Sequence, residues 1–232
     1  MAGTPLYIKF FGDVDRDHVT RLMDLVDDRL AQGQNRFVLL LSTVGGSVFH
    51  GLSAYNFLKG IDAELETHNF GSVDSIGTVL YCAGRRRYAV PQSRFVLHMP
   101  FFEFDDESLG ERQLAERLGK LQVDARNMAE VLSQETRRPF DDVLRGLRHR
   151  TVLDATGART YGLVHEVRSQ LVPPGAELVS VSRAPSGPSA EMLAFLEQLA
   201  RQAHHGHREE ELVVHADSGT DARTSAQEPE QP

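Results

Sequence analysis

Apolar runs alternate with amphipathic stretches over the first sixty residues of the chain. The runs Leu6–Phe11 and Phe37–Leu41 predict two strands, and the second is apolar throughout, as in strands buried on both faces of a parallel sheet. Val19–Leu30 and Val48–Lys59 carry apolar residues at helical spacing and predict two helices. The alternation of strand and helix is typical of an α/β fold.

Predicted elements continue to about residue 182. Further strands are predicted at residues 63–68, 87–90, 95–98, 163–167 and 178–181, and further helices at residues 75–83, 107–138, 141–147 and 155–161. Gly71 is expected to end the third strand, and Gly162 to end the last helix. Asp154 directly precedes the predicted helix at residues 155–161, and aspartate is a preferred N-cap residue.

The longest predicted helix, residues 107–138, carries an apolar stripe whose members are separated by steps of four and three. The stripe consists of Leu114, Leu118, Leu121, Ala125, Met128 and Leu132. Such heptad-type spacing places the apolar side chains on one face. The helix therefore either lies on the core of its own protomer or associates with a second copy, and the spacing leaves both open.

The composition divides the chain into a domain at 1–182 and a tail at 183–232. Nine acidic residues and four arginines in the tail account for −5 of the formal charge of −8. Residues 191–203 of the tail have a helical pattern, and the rest is expected to be disordered. A net acidic chain of this kind is not a general nucleic-acid binder.

Several other classes of protein are excluded by simple counts. The single cysteine, Cys82, rules out a disulfide framework and falls within a predicted buried helix, where packing explains it. The chain shows no apolar run of about 18 residues and no secretory signal, so a cytoplasmic protein without membrane spans is expected. Neither a metal nor a cofactor is expected, although the tail contains four histidines: His204, His205, His207 and His215.

Three features of the domain could support chemistry. Gly45 and Gly46 follow a buried strand, where glycines let backbone N–H groups approach a ligand. Ser75 lies at the start of an apolar helix, near free N–H donors that could stabilise an oxyanion. His98 ends a predicted strand, a suitable position for a general base. Turn formation, capping or packing would explain each feature alone, but the combination suggests a serine nucleophile with a histidine base.

Residues 6–167 resemble the proteolytic subunit of Clp protease, a family of serine peptidases with a crotonase-like fold. Residues 42–48 resemble the Ser-Pro-Gly-Gly loop of that family, with Val44 in place of proline, and residues 71–77 resemble its Gly-x-Ala-x-Ser-Met-Gly segment. Residues 83–100 and 161–164 resemble its Ala-Gly…Arg-x-x-Leu-Pro-Asn-Ser-Arg-x-Met-Ile-His-Gln-Pro and Tyr-Gly-Leu motifs. The resemblance covers roughly two-thirds of the chain.

The resemblance implies an α/β fold of the ClpP/crotonase type, a superhelix of repeated β-β-α units with a long handle helix. It implies that Ser75 is the nucleophile, His98 the base, and the backbone N–H groups of Gly46 and Ile76 the oxyanion hole. The expected substrates are peptides or unfolded proteins. The handle helix would join protomers into a ring or double ring, which agrees with one of the two explanations of the apolar stripe.

The acidic third member of the family's triad is missing at its expected place. Counting back from Tyr161 places Arg150 there, and a guanidinium cannot accept the imidazole N–H of a histidine. Asp154, Asp74 or an acid among residues 105–107 could replace it. Alternatively, the protein is a weak or inactive ClpP paralogue that acts as a structural or regulatory subunit of a ring.

Further alternatives concern partners and other chemistries. The family has an axial segment before its first strand that helps dock a ring-shaped ATPase, and only about five residues precede the strand here. An ATPase chaperone and a ClpP paralogue therefore stay open as partners. A Ser-Lys hydrolase would need a lysine near Ser75, and Lys59 is the candidate in sequence. An acyl-CoA enzyme of the crotonase type would leave the pairing of Ser75 and His98 unexplained.

Overall fold

A computed structural model describes residues 4–102 and 108–182. The strands are β1 (Leu6–Phe11), β2 (Arg36–Thr43), β3 (Glu64–Asp74), β4 (Arg86–Ala89), β5 (Arg94–Leu97), β6 (Thr151–Asp154), β7 (Glu166–Val167) and β8 (Leu178–Ser180). The helices are α1 (Arg16–Ala31), α2 (Val48–Gly60), α3 (Gly77–Tyr81), α4 (Glu111–Thr136), α5 (Phe140–Arg148) and α6 (Ala155–Tyr161). The mixed α/β class predicted from the sequence is confirmed.

One sheet of eight strands contains every strand of the described residues, with β6-β5-β3-β2-β1-β8 as its main order. Strand β3 pairs with two strands along the same edge: residues 66–69 pair with β4, and residues 72–74 pair with β5. Strand β7 pairs with β4. All pairs are parallel except β5 with β6, which is antiparallel. The long β3 thus ends beside β5, where the predicted site residues meet.

Strands β1 and β2 are covered on both faces, as the apolar run predicts. One face of the pair belongs to a large core with helices α1 and α2, and its members include Ile8, Phe10, Leu39 and Leu41. The opposite face forms a smaller cluster of Tyr7, Val38 and Leu40, against which Phe70, Leu171 and Val172 pack. Burial on both faces therefore fixes β2 and its carboxyl end at Thr43 firmly in the protomer.

Helix α4 divides its apolar stripe between two environments. Ala125, Met128 and Leu132 in the second half are buried in the core, whereas Leu114 and Leu118 in the first half are about half exposed. Packing on the core of the same protomer thus explains the second half of the stripe, and association with a second copy stays a prediction for the first half. The first half leaves an apolar surface, and the second half packs on the protomer.

A buried arginine ties the second half of α4 to the sheet. The guanidinium of Arg87 donates to Glu135 Oε2 at 3.0 Å and to the Glu135 carbonyl oxygen at 2.7 Å. It also donates to the carbonyl oxygen of Leu163 at 2.7 Å. Glu135 accepts from Lys59 as well, at 2.7 Å. Because every charge in this cluster has a partner, burial of Arg87 is tolerated.

Three predicted elements have wrong bounds. Gly71 does not end a strand, because β3 continues through it to Asp74, where a Cβ on Gly71 would lie 2.8 Å from Ser42 Oγ of the neighbouring β2. The predicted helix at 75–83 shrinks accordingly to Gly77–Tyr81. The predicted strand at 163–167 is reduced to Glu166–Val167, because the N–H groups of Leu163 and Val164 donate to the Ala158 carbonyl at the end of α6.

The other predictions about organisation concern the handle helix, the bounds of the domain, the tail and membrane spans. The predicted handle helix at 107–138 corresponds to α4, Glu111–Thr136. The compact unit that contains the sheet runs from Met1 to Ala184. The tail at 183–232, with its predicted helix at 191–203, lies outside the described residues. In the described part of the chain, no helix has the length and apolar character needed to cross a membrane.

Candidate active site

Ser75 lies in the turn between β3 and α3 in a left-handed backbone conformation, with φ of +57°. Its N–H donates to the Val96 carbonyl of β5 at 2.7 Å. Its carbonyl oxygen accepts from the N–H of Thr78 at 3.0 Å and from Thr78 Oγ1 at 2.6 Å. A left-handed conformation costs a side-chain-bearing residue about 1–2 kcal/mol, and these hydrogen bonds maintain it. The sharp turn presents the hydroxyl of a largely buried residue to the surface.

The glycine loop after β2 packs directly against this turn. Gly45 has φ of +100°, and a Cβ there would lie 2.6 Å from Ser75 Cβ. Gly46 has φ of +144°, and its Cβ would lie 2.6 Å from the Val14 carbonyl oxygen. Two backbone hydrogen bonds to Val14 hold the loop. The Val14 N–H donates to the Gly45 carbonyl oxygen at 2.7 Å, and the Val14 carbonyl oxygen accepts from the Ser47 N–H at 2.8 Å. Both glycines are therefore required by close approach as well as by φ.

The N–H groups of Gly46 and Ile76 are the predicted oxyanion donors. Neither N–H has an acceptor among the hydrogen bonds of the described residues. Gly46 lines the same cavity as Ser75, and Ile76 is the N-cap residue of α3, directly after Ser75. Unpaired amides beside a nucleophile are the donors that an oxyanion requires.

His98 directly follows β5 and has a defined tautomer. Its Nδ1 lies 2.8 Å from the carbonyl oxygen of Met99. Because a carbonyl oxygen only accepts, the proton is assigned to Nδ1, and Nε2 carries the lone pair. The ring also stacks obliquely near Phe101, with centroids 5.8 Å apart. A backbone carbonyl thus orients the imidazole so that Nε2 can act as a base.

Ser75 and His98 line one cavity of about 1080 Å³. Its other lining residues include Val44, Gly46, Phe49, Phe101, Lys120, Asp124 and Arg150. Phe49 and Phe101 are 73% and 64% exposed, so the cavity offers aromatic surface to a ligand. Ser75 Oγ is not hydrogen-bonded to His98 in this structure, although the two side chains open into the same space.

Two of the candidate replacements for the missing acid, Asp154 and Asp74, bind partners other than His98. Asp154 pairs with Arg94 at the far end of the β5–β6 ladder, and its side chain caps α6 by accepting from the Gly157 N–H at 2.6 Å. Asp74 accepts from Ser72 Oγ at 2.6 Å and from the Arg94 guanidinium at 3.3 Å. Asp154 therefore acts as the N-cap that its sequence context predicts, and residues 105–107 lie outside the described residues.

Sequence reasoning missed Asp124 and Lys120 as residues of the cavity. Both lie on α4 and reach the site only because α4 passes over it. Burial raises the pKa of the Asp124 carboxyl above its usual range. Asp124 directly precedes Ala125 of the apolar stripe, and an acid beside a buried stripe position was the one signal that could have identified it.

Other chemistries predicted as alternatives receive no support from the geometry. Lys59 binds Glu135 at 2.7 Å and does not line the cavity of Ser75, so it is not placed as the base of a Ser-Lys hydrolase. Within residues 4–102 and 108–182, no three His, Cys, Asp or Glu side chains come together as a metal site requires. Cys82 is fully buried, and burial raises the pKa of its thiol to about 12, consistent with a packing role.

Comparison with known proteins gives one consistent assignment. The chain is 29% identical over 177 residues to ATP-dependent Clp protease proteolytic subunit 3 of Rhodococcus jostii, an alignment that covers 75% of this chain and 84% of that protein. A mutant of ClpP1 from Listeria monocytogenes shares the fold, with a TM-score of 0.64 at 16% identity, over 71% of this chain and 91% of that one. The sequence model of the Clp protease family matches residues 9–170. The chain belongs to the Clp protease family.

Proposed function

We propose that the protein is a serine peptidase that hydrolyses peptide bonds through an acyl-enzyme at Ser75. The main observation in support is the left-handed turn at Ser75. The turn packs on Gly45, and Ser75 lines the same cavity as His98. A strained turn that is held by several backbone contacts is typical of a functional residue. Membership in the Clp protease family supports the same reaction class.

The mechanism follows from the atoms available in the cavity. Ser75 Oγ attacks the peptide carbonyl carbon while Nε2 of His98 takes its proton. The carbonyl oxygen becomes an oxyanion and accepts from the N–H groups of Gly46 and Ile76. His98 then donates its proton to the leaving amine, and water hydrolyses the ester at Ser75 with His98 again as the base.

Among residues 4–102 and 108–182, no carboxylate is hydrogen-bonded to His98, and this limits the expected rate. The Met99 carbonyl orients the imidazole, but it carries no full negative charge to stabilise the imidazolium. Loss of the orienting acid in a serine peptidase costs roughly 10⁴-fold in turnover, less than loss of the serine or the histidine. We therefore expect a slow enzyme whose acylation is detected more readily than its turnover.

Assembly and partners form the second part of the proposal. The exposed first half of α4, with Leu114 and Leu118, supports self-association of protomers into a ring or double ring. The substrates would be peptides or unfolded proteins. The curated relative is named as the proteolytic subunit of an ATP-dependent protease, so an ATPase partner in the cytoplasm is proposed by analogy.

Labelling with a fluorophosphonate probe, located by mass spectrometry, tests the peptidase proposal. The probe is expected to modify Ser75, and the labelling rate should fall at least about 100-fold in S75A and in H98A. Ser53→Ala is the matched control, since Ser53 lies on α2, donates to the Phe49 carbonyl at 2.8 Å and does not line the cavity. An adduct at another serine, or labelling of Ser75 that is unchanged in H98A, would contradict the proposed roles.

A catalytically inactive ring subunit is the second candidate function, and Arg150 is the observation that favours it. Arg150 lines the cavity at the place where the family resemblance predicts an acid. An inactive subunit would stay unlabelled in its assembled state, as judged by sedimentation before the probe is added. Absence of labelling in the assembled protein would therefore replace the peptidase proposal with that of a structural or regulatory subunit.

A further inference from the structure

Arg150 lines the same cavity as His98 but has no role in the mechanism proposed above. The antiparallel β5–β6 ladder pairs Leu97 with Thr151. His98 and Arg150 are the next residues beyond this last pair, outside the two strands. Both side chains line the cavity of Ser75. Arg150 and His98 therefore start from the same end of the β5–β6 ladder and reach the same space.

The backbone holds Arg150 in this position. The carbonyl oxygen of Leu147 accepts from the N–H of Met99 at 3.1 Å and from the N–H of Arg150 at 3.3 Å. One acceptor thus joins the segment of His98 to the segment of Arg150. Thr151 Oγ1 also donates to the Gly146 carbonyl at 2.9 Å. Arg150 is left-handed, with φ of +52°, which is a conformation that these contacts maintain.

The charges around the cavity leave Arg150 without a counterion in the described part of the chain. Four titratable side chains line the cavity: His98, Lys120, Asp124 and Arg150. Lys120 forms an ion pair with Glu116 at 3.0 Å. No carboxylate lies within 4.0 Å of the Arg150 guanidinium among residues 4–102 and 108–182. Asp124 lines the same cavity but forms no ion pair with Arg150.

We propose that Arg150 is a specificity-determining residue that binds a carboxylate of the substrate next to the scissile bond. Guanidinium groups bind carboxylates with two parallel hydrogen bonds, and few other side chains do so. This inference rests on the proposed peptidase function. The carboxylate is either an acidic side chain of the peptide or its C-terminal carboxylate.

The bound carboxylate also contributes to the reaction. His98 becomes positively charged when it takes the proton of Ser75, and the charge of Arg150 beside it opposes that change. A substrate carboxylate on Arg150 offsets this charge and places a negative group near the imidazolium. The substrate thereby supplies part of the electrostatic stabilisation that an acidic third member supplies in a complete triad.

The first experiment compares matched substrates. Two fluorogenic peptides that differ only in glutamate or glutamine beside the scissile bond test the side chain, and a free-acid and amide pair tests the C-terminus. We expect kcat/KM to be about tenfold or more higher for the acidic member of one pair. The pair that shows the preference identifies the source of the carboxylate.

Variants assign the preference to Arg150. Arg150→Ala is expected to bring the two members of the pair to equal kcat/KM, and Arg150→Lys to retain part of the preference. Arg148→Ala is the matched control, because it removes the same charge from an exposed position two residues away that does not line the cavity. A preference that persists in R150A, or that is lost in R148A, overturns the assignment.

A binding measurement separates this inference from the peptidase proposal. In S75A, which cannot form the acyl-enzyme, the Kd values of the acidic and amide peptides are compared by fluorescence anisotropy, with and without R150A. Tighter binding of the acidic peptide that depends on Arg150 supports the inference even if Ser75 is never labelled. Labelling of Ser75 together with equal Kd values overturns this inference alone.

Discussion

Two segments of the chain line the same cavity, and they differ in how the fold holds them. The serine segment, residues 74–78, contains Ser75, and the arginine segment, residues 147–151, contains Arg150. Each has one left-handed residue that is not glycine, with φ of +57° and +52°. Ser75 is 8% exposed and bound through its N–H and its carbonyl, whereas Arg150 is exposed and bound through its N–H alone.

The difference explains why one segment keeps the family's pattern and the other does not. The chemistry of the serine segment depends on main-chain geometry: a positive φ, unpaired amides, and the close approach of Gly45, where an added Cβ would lie 2.6 Å from Ser75 Cβ. A change there disturbs several contacts at once. The expected acid needs only one side chain at an exposed position, so arginine can replace it without moving the backbone.

The largest effect is expected for Gly45→Ala, which breaks the serine segment. The added Cβ would meet Ser75 Cβ at 2.6 Å and the Asp74 carbonyl oxygen at 3.0 Å, in a residue with φ of +100°. We expect the fluorophosphonate labelling rate to fall about 100-fold, because small misplacements of a nucleophile have effects of that order. The free energy of unfolding should fall by about 2 kcal/mol or more.

Gly33→Ala is the matched control for this substitution. Gly33 also has a positive φ, +86°, but nothing lies within 4 Å of an added Cβ. In G33A the free energy of unfolding, measured with urea, should therefore fall by about 1 kcal/mol because of the backbone conformation, and the labelling rate should equal that of the wild type. Equal labelling rates in G45A and G33A would mean that the close approach to Ser75 is unimportant.

The next effect is expected from protonation of His68, which lies on β3, the strand that leads to Ser75. Burial lowers its pKa to about 4, and Arg168, whose carbonyl oxygen lies 3.2 Å from Nε2, adds a nearby positive charge. The folded protein therefore keeps His68 neutral, whereas the unfolded chain protonates it near pH 6.5. Stability should fall by on the order of 2–3 kcal/mol as the pH drops from about 7 to about 4.5.

Urea unfolding of H68Q at both pH values isolates this contribution. A glutamine side chain can still donate to the Arg168 carbonyl, but it does not titrate. H68Q should lose clearly less stability than the wild type between the two pH values, while the exposed His149→Gln should behave like the wild type. An equal loss of stability between about pH 7 and about pH 4.5 in all three proteins would assign the pH dependence to other groups.

The smallest effect is expected for Arg150→Gly, which sharpens the contrast between the two segments. Glycine adopts the left-handed conformation at Arg150 without steric cost, so the free energy of unfolding should rise by about 0.5–1 kcal/mol. Arg150→Ala keeps the steric cost and should leave stability nearly unchanged. If R150G destabilised the protein by more than about 1 kcal/mol, the guanidinium would have a structural role that the described contacts do not show.

Most of the fold was predictable from local patterns. Helices α1, α2 and α6 and strands β1, β2 and β5 follow hydrophobic periodicity and end at recognisable residues such as Gly162, the C-cap of α6. The prediction was wrong at Gly71, because β3 continues across a glycine to reach its second partner, β5. Periodicity describes one segment at a time and carries no information about pairing between distant strands.

The candidate site was predictable where the main chain defines it. The glycine pair, the serine in its turn and the histidine after β5 are local motifs, and the structure brings Gly46, Ser75 and His98 to one cavity. Asp124 and Lys120 were not predictable, because they reach the cavity through the path of α4. Asp154 has the charge needed for the third member, but its partner is the N-terminus of α6.

The sequence by itself determined the α/β class, the family, and the residues able to do chemistry, because these depend on residue type, order and short-range spacing. Only the tertiary structure decided which of those residues meet. The end of the β5–β6 ladder brings Arg150 and His98 to one cavity, and the register of β3 with β5 places the Ser75 N–H on Val96. Contacts between segments far apart in sequence depend on how the whole core packs, and short-range spacing does not specify that packing.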